Sequence, residues 1–334
     1  MTLDELDKLI REARTPRELF GDDLDAALRR FRAVCHPDRN PGDPRAEQLY
    51  KELHVLAEQA RRPPVTLKSP KGREYTLLKR IATGEVADIH LASANDRDYA
   101  LKIARVPAGA SLLDTERRAL VALLTAAGDT HYAKYFPTFA ESFLTEEPGG
   151  KRVNVFTWRP VLYTAEQVRQ RHEKGLDGRH LAWIFKRLLT VIGFAHRQGW
   201  IHGAVLPSHV LIQPEEHGVV LAGWGQAVLL GENVRTTSAA FRDWYPVEVM
   251  EKRPALPATD IFLAAKCVVY LAGGDPATGH MPDAVPSAMQ QFIRSCLLEG
   301  PRMRPDNAWK LLDEFDELLQ ALYGPPKFHH LSMS

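Results

Sequence analysis

The sequence is poor in cysteine, has no long apolar run and carries almost no net charge. The three cysteines, Cys35, Cys267 and Cys296, stand far apart in 334 residues. They have neither the paired spacing of a metal site nor the density of a disulfide framework. Such sparse use fits a reducing compartment, and a cytoplasmic protein is expected. No stretch approaches the ~18 consecutive apolar residues of a membrane span. The start, MTLDELDKLIREAR, is charged throughout and lacks the apolar centre of a secretory signal. Lysine and arginine total 43 against 42 aspartate and glutamate, leaving +1, so nucleic-acid binding by bulk charge is not expected. What is present is 45% hydrophobic and 25% charged residues, the mix of a globular chain. The length suffices for two domains of ~150 residues each.

Residues 2–62 read as almost all helix. Leu24, Ala27, Leu28, Phe31 and Val34 recur at helical spacing, with Asp22 or Asp23 as the cap. A break follows at His36-Pro37-Asp38-Arg39-Asn40-Pro41-Gly42-Asp43, because neither proline fits inside a helix and Gly42 adds a turn. A second helix restarts with Asp43 as N-cap and Pro44 at its first position. It carries Leu49, Leu53, Leu56 and Ala60 on one face. Two amphipathic helices around a short polar break predict an antiparallel hairpin. Leu3, Leu6 and Leu9 predict a further helix before it. The Pro-rich, basic stretch RRPPVTLKSPKGR predicts an extended, solvated linker over 63–73. From Tyr75 short β-like runs appear, then from about Leu181 helical patterns dominate. Strands first and helices later predict a two-lobed α+β domain over 74–323. The closing residues 324–334 read as a frayed tail.

His36-Pro37-Asp38 is informative through its setting. The helix before it bears Arg29, Arg30 and Arg32 on its polar side, and TPRELFG precedes that helix. Over roughly residues 14–62 this segment resembles a J-domain, the module that engages DnaK-type chaperones. The resemblance implies that His36, Pro37 and Asp38 form the loop that triggers the chaperone's ATP hydrolysis. It also implies that Arg29, Arg30 and Arg32 meet an acidic surface. Physically, Pro37 stiffens the loop and Asp38 offers a carboxylate to an arginine partner. The plainer reading is a turn in which Asp38 caps locally and the arginines are a solvated face. One departure stands out: the Pro-rich linker replaces much of the helix that closes the family's module.

From Tyr75 to about Tyr323 the landmarks resemble a protein kinase in order. IATGEVADIHLA sits where the family has a glycine-rich loop, with Gly84 kept and Ala82 and Ala87 in place of the other glycines. Lys102 matches the phosphate-pairing lysine and Glu116 its glutamate partner. Ile89, Ala100 and Leu211 fall where adenine is sandwiched. In the stretch from Trp200 to Ile212 the hydrophobic frame of the catalytic loop is present, but Ala204 takes the place of the catalytic aspartate. Leu206 replaces the nearby lysine and His209 the magnesium-binding asparagine. Gly223, in Leu221-Ala222-Gly223-Trp224-Gly225, replaces the magnesium-binding aspartate. His202, Trp224, Glu248, Asp260 and Arg304 match structural positions, Glu248 being paired with Arg304.

Phosphoryl transfer needs a carboxylate to position the nucleophile and oxygen ligands to hold magnesium. Alanine, leucine and glycine supply neither. The resemblance therefore implies a pseudokinase: not an enzyme, and without a cofactor, although ATP bound at Lys102 without magnesium is a second state to consider. His209 alone is a weak metal ligand set, and a surface-loop histidine is the plainer expectation. The sequence thus predicts an all-α J-domain-like hairpin over 1–62 followed by a kinase-like domain. As a whole it would act as a co-chaperone or adaptor that recruits a DnaK-type chaperone and binds a protein client. The alternative is an atypical serine/threonine kinase or a nucleotide-sensing pseudokinase.

Overall fold

The computed structural model describes residues 1–147 and 149–333. They fall into two compact units, Met1–Ala110 with Ala140–Trp158, and Ser111–Phe139 with Arg159–Met333. The first unit opens with helix α1 (Leu3–Glu12), started by a reciprocal capping box between Thr2 and Glu5. Leu6 and Ile10 of α1 are buried, whereas Leu9 is 44% exposed. Short α2 (Pro16–Phe20) starts on a Thr15 cap. Asp23, rather than Asp22, caps α3 (Leu24–Val34) by accepting the Ala26 N–H at 2.9 Å. Asp43 caps α4 (Pro44–Ala60), with Pro44 at its first turn. The facing stripes close over one core of Leu6, Ile10, Phe20, Leu28, Phe31, Leu49, Leu53 and Leu56.

The same unit contains a six-stranded sheet. Its strands are β1 (Thr66–Lys68), β2 (Glu74–Thr83), β3 (Ala87–Ala94), β4 (Arg97–Ala104), β5 (Phe139–Leu144) and β6 (Arg152–Thr157), in the order β1-β2-β3-β4-β6-β5. Helix α5 (Pro107–Ala127) follows β4 in the chain. Asn95 and Asp96 join β3 to β4 with φ of 48° and 57°, the backbone of a tight two-residue hairpin turn that these residue types tolerate. The stretch expected to be a solvated linker is partly ordered. Thr66–Lys68 pair with Glu74–Thr76 along the sheet edge, and the turn between them is closed by Gly72 N–H donating to the Ser69 carbonyl. Extended backbone beside an open sheet edge satisfies its polar groups by pairing.

The helices and the sheet share a buried cation. The register of β2 against β3 slips between Leu77 and Lys79, and such a bulge breaks strict alternation of faces. Leu77 packs with the sheet's core around Tyr75, Tyr99 and Leu101. Lys79 instead lies buried at the end of α1, where its ammonium donates to the carbonyls of Ile10 (2.8 Å), Arg11 (3.0 Å) and Ala13. Burial lowers the Lys79 pKa, against the attraction of Glu52 and Glu18. A cation on the last carbonyls of a helix complements both its unpaired acceptors and its dipole. Arg80 N–H to Gln59 Oε1 (3.2 Å) and Arg14 to Asp98 (2.6 Å) add further ties between helices and sheet.

The second unit is mainly helical. It contains β7 (Tyr163–Thr164), α6 (Ala165–Arg171), α7 (Gly178–Arg197), β8 (Trp200–Ile201), β9 (Val210–Gln213), β10 (Gly218–Leu221) and β11 (Val228–Leu229). Then come α8 (Val247–Met250), α9 (Pro257–Leu271), α10 (Ser287–Ser295) and α11 (Ala308–Tyr323). Two small sheets, β10-β9-β7 and β11-β8, frame the segment between β8 and β9. Helix α9 is buried on nearly all sides, as its largely apolar composition requires. The tail does not fray: Leu331 is 2% exposed, and the segment lies against this unit.

Candidate functional site

Two regions hold the residues singled out from sequence. The first is the loop after α3. Pro37–Arg39 form a single 3-10 turn, held by Asn40 Nδ2 donating to the carbonyls of Val34 (2.9 Å) and His36 (3.0 Å). These bonds satisfy acceptors that the end of α3 leaves open. His36 Nδ1 accepts the Asp38 N–H at 3.2 Å, and its ring meets Tyr50 edge-on at 5.8 Å. The Asp38 side chain is 88% exposed, with its carboxylate 3.6 Å from His36 Nδ1. Pro37, Arg39, Arg29 and Arg30 are exposed as well. Arg32 departs from the expected basic face. One turn on from Leu28 it borders the apolar stripe, and its guanidinium lies over Tyr50 and bonds His54 Nδ1 at 2.7 Å.

The second region lies between β8 and β11. Asp260, near the start of α9, is fully buried and accepts the backbone N–H groups of His202 and Gly203, both at 2.8 Å. His196 Nε2 donates to the same carboxylate at 2.9 Å. Three donors on one buried carboxylate fix the loop's path. His202 Nδ1 accepts the Ala204 N–H, and its Nε2 donates to the Ala222 carbonyl. Trp224 packs edge-on against His202 at 4.5 Å and donates its indole N–H to Leu221. Ala204 and Leu206 are fully buried.

His209 is not the surface histidine expected from sequence. It is half-buried, and its Nδ1 donates to the Ala204 carbonyl at 2.9 Å. Its ring lies directly over Gly223, which has φ +79°; a Cβ there would come within 2.4 Å of the ring's Cγ and Cδ2. Carbon atoms need ~3.5 Å, so a side chain at 223 and an imidazole at 209 exclude one another. The place where a metal-holding carboxylate would start is filled by the ring. Magnesium therefore does not fit the residues present, and no step through it is derived. Among the described residues no cluster of three or more His, Cys, Asp or Glu is placed to hold a metal.

Glu248 on α8 and Arg304 form an ion pair at 2.8 Å with side chains 1% and 0% exposed. Thr259 donates to the same Glu248 oxygen, and Arg304 also reaches the carbonyls of Leu298 and Glu299. The nucleotide-site candidates divide between the units. Ile89 stands directly opposite Lys102 in the β3–β4 register, and Ala100, two residues on, shares their face. Gly84 spends its N–H on the Ala87 carbonyl at 2.9 Å, and Arg105 donates to the carbonyls of Gly84 and Glu85. The Gly84 N–H is thus spent within the turn rather than left free for a phosphate. Glu116, 2% exposed on α5, and Leu211 on β9 belong to the second unit. His196, Lys79 and Arg105 were not singled out from sequence. Each acts through a partner far along the chain, and no local pattern announces that.

The chain is similar in structure to vaccinia related kinase 3, with TM-score 0.61 and 17% identity over 78% of this chain and 92% of that one. It is also similar to a crystal structure described as a kinase domain, with TM-score 0.56 and 12% identity over 72% of this chain and 94% of that one. At these identities the likeness carries the fold, which is that of a protein kinase. No family model and no curated protein matches the sequence.

Proposed function

We propose that the chain is a co-chaperone or adaptor. In this reading the α3–α4 hairpin recruits a DnaK-type chaperone and stimulates its ATP hydrolysis, while the kinase-like part transfers no phosphate and binds a protein client. The observation that carries the first half is the exposure of Pro37 and Asp38 in the turn, and of Arg29 and Arg30 on the helix before it, in a hairpin whose core is otherwise closed. Polar groups kept in water beside a rigid turn are available to an acidic, arginine-bearing partner. The second half is supported by the imidazole of His209 over Gly223 and by buried Ala204 and Leu206 where a transferase needs polar groups. The alternative, a kinase with unusual chemistry, needs a replacement carboxylate, and none lies between Gly203 and Ile212.

The test uses the intact chain with a DnaK-type chaperone and measures ATP turnover at fixed salt. Stimulation is expected from the parent and its loss from both His36→Gln and Asp38→Asn, with circular dichroism unchanged because Asp38 makes no core contact. Equal stimulation by parent and variants overturns the chaperone reading. Transfer of labelled phosphate to a generic acceptor, lost on Lys102→Ala, overturns the pseudokinase reading.

A further inference from the structure

The tail is held by histidines. His217, at the turn between β9 and β10, is stacked on Trp183 of α7 (4.4 Å, 5°) and carries Phe328 on its other face (4.1 Å, 19°). His217 Nε2 donates to the His329 carbonyl at 2.6 Å, and His172 Nε2 to the Ser332 carbonyl at 2.9 Å. His180 lies 6.4 Å from His217 and accepts the Trp183 indole N–H at Nδ1 (3.2 Å). Beyond these contacts Leu331 is buried, while Phe328 stays 61% exposed. The segment is thus fastened to the surface by stacked rings, by histidine bonds to its carbonyls and by the buried Leu331.

We propose that residues 325–333 are a proton-released strap, docked over Trp183, His180 and His217 near neutrality and let go as the pH falls below about 6.5. Such a release would operate whether or not the chain engages a chaperone. Docking gathers His172, His180, His217, His329 and His330 on one patch, so protonation there builds like charge. A proton on Nδ1 of His180 also breaks the bond from Trp183.

The charged groups around the two central rings mostly favour the neutral form. His217 has its pKa lowered by burial first, and Arg187, His329 and His330 add to this against its bond to the His329 carbonyl. His180 is lowered by burial first, with His217, His172 and His329 adding and the Asp177 carboxylate opposing. The aromatic faces of Trp183 and Phe328 oppose this at His217, because a ring face attracts a cation lying over it. A ring whose pKa is lower when docked leaves docking intact above its free value of ~6.5 and weakens it as the pH falls toward the docked value. Each ring contributes up to about tenfold between pH 7.5 and 5.5.

Hydrogen exchange of the intact chain, followed by mass spectrometry and corrected for intrinsic rates, reads the strap directly. Amides of 327–333 should exchange faster at pH 5.5 than at pH 7.5 after that correction, by up to about tenfold for each ring, while α7 and α9 hold. Protection that is equal or greater at pH 5.5 overturns the proposal. A second measurement follows the ring protons of His180 and His217 by NMR in the parent and in the full-length Phe328→Ala, Leu331→Ala variant. Detaching the tail should raise both titration midpoints toward about 6.5. Midpoints that do not move overturn it too.

Discussion

Substituting Gly223 by aspartate, the residue that magnesium chemistry would require, should fail for a reason visible in one neighbour. The new Cβ would meet Cγ and Cδ2 of His209 at 2.4 Å and Nδ1 at 2.6 Å, an overlap of about 1 Å with atoms that need ~3.5 Å. Forced contacts of that kind cost about 1–3 kcal/mol. The φ of +79° at this position adds about 1 kcal/mol for a side-chain-bearing residue, less for aspartate than for most. Gly223→Asp should therefore destabilise the chain by roughly 2–4 kcal/mol. His209→Ala removes the ring and its bond to the Ala204 carbonyl, worth about 1–2 kcal/mol. In the double variant the overlap is gone, so the two losses should not add, and the coupling should be about 1–3 kcal/mol. Urea unfolding followed by tryptophan fluorescence measures all three variants, with Trp224 beside the altered residue as a local probe. Strict additivity, or a tolerated Gly223→Asp, would refute the claim that His209 occupies the carboxylate's place.

How much of this was legible in the sequence depended on the range of the interaction. The cap at Asp43, a cap at Asp22 or Asp23, the hairpin core from Leu28 to Leu56 and the order of strands and helices were all readable. Each is set by residues within a turn or two, or by a period that one element repeats. That Ala204, Leu206, His209 and Gly223 bring no carboxylate is plain from the residues themselves. What His209 does was not readable. Its exclusion of a side chain at 223 depends on a ring and a glycine brought together by β9 and β10 pairing. The edge strand at Thr66–Lys68 was hidden by prolines that signal an extended chain without saying whether anything pairs with it. The tail was misread because its anchors, His172, Trp183 and His217, lie over a hundred residues upstream. Nothing local marks Lys79; only the slip in the β2 register and the end of α1 make it a buried cap.

The remaining perturbations concern the parts that hold the chain together. Glu248→Ala leaves the Arg304 guanidinium buried without its carboxylate, so denaturant unfolding should show a loss of about 3–5 kcal/mol; a loss below 1 kcal/mol would mean the pair contributes little. Asp43→Ala should cost about 1 kcal/mol at pH 7 through the lost α4 cap. The side-chain bond from Arg45, foremost, holds the Asp43 carboxyl below its usual value, so its contribution is present above about pH 4 and is lost as the pH falls through the lowered value. Parent and variant should converge in acid, and a gap that persists at pH 2–3 would contradict this. The last prediction concerns Lys79. Methionine matches its length and removes the cost of burying an ammonium, but leaves the carbonyls of Ile10, Arg11 and Ala13 without their common donor. Unsatisfied buried acceptors cost about 1–3 kcal/mol each, so Lys79→Met should destabilise despite being the more apolar residue, by about 2 kcal/mol or more. The loss should be local: hydrogen exchange of the intact variant should speed up in α1 and in β2 around the slipped register, while α9 in the other unit keeps its protection. If α1 alone loosens and β2 does not, the helices rest on the sheet without supporting it. If neither loosens, the buried ammonium is not what joins them.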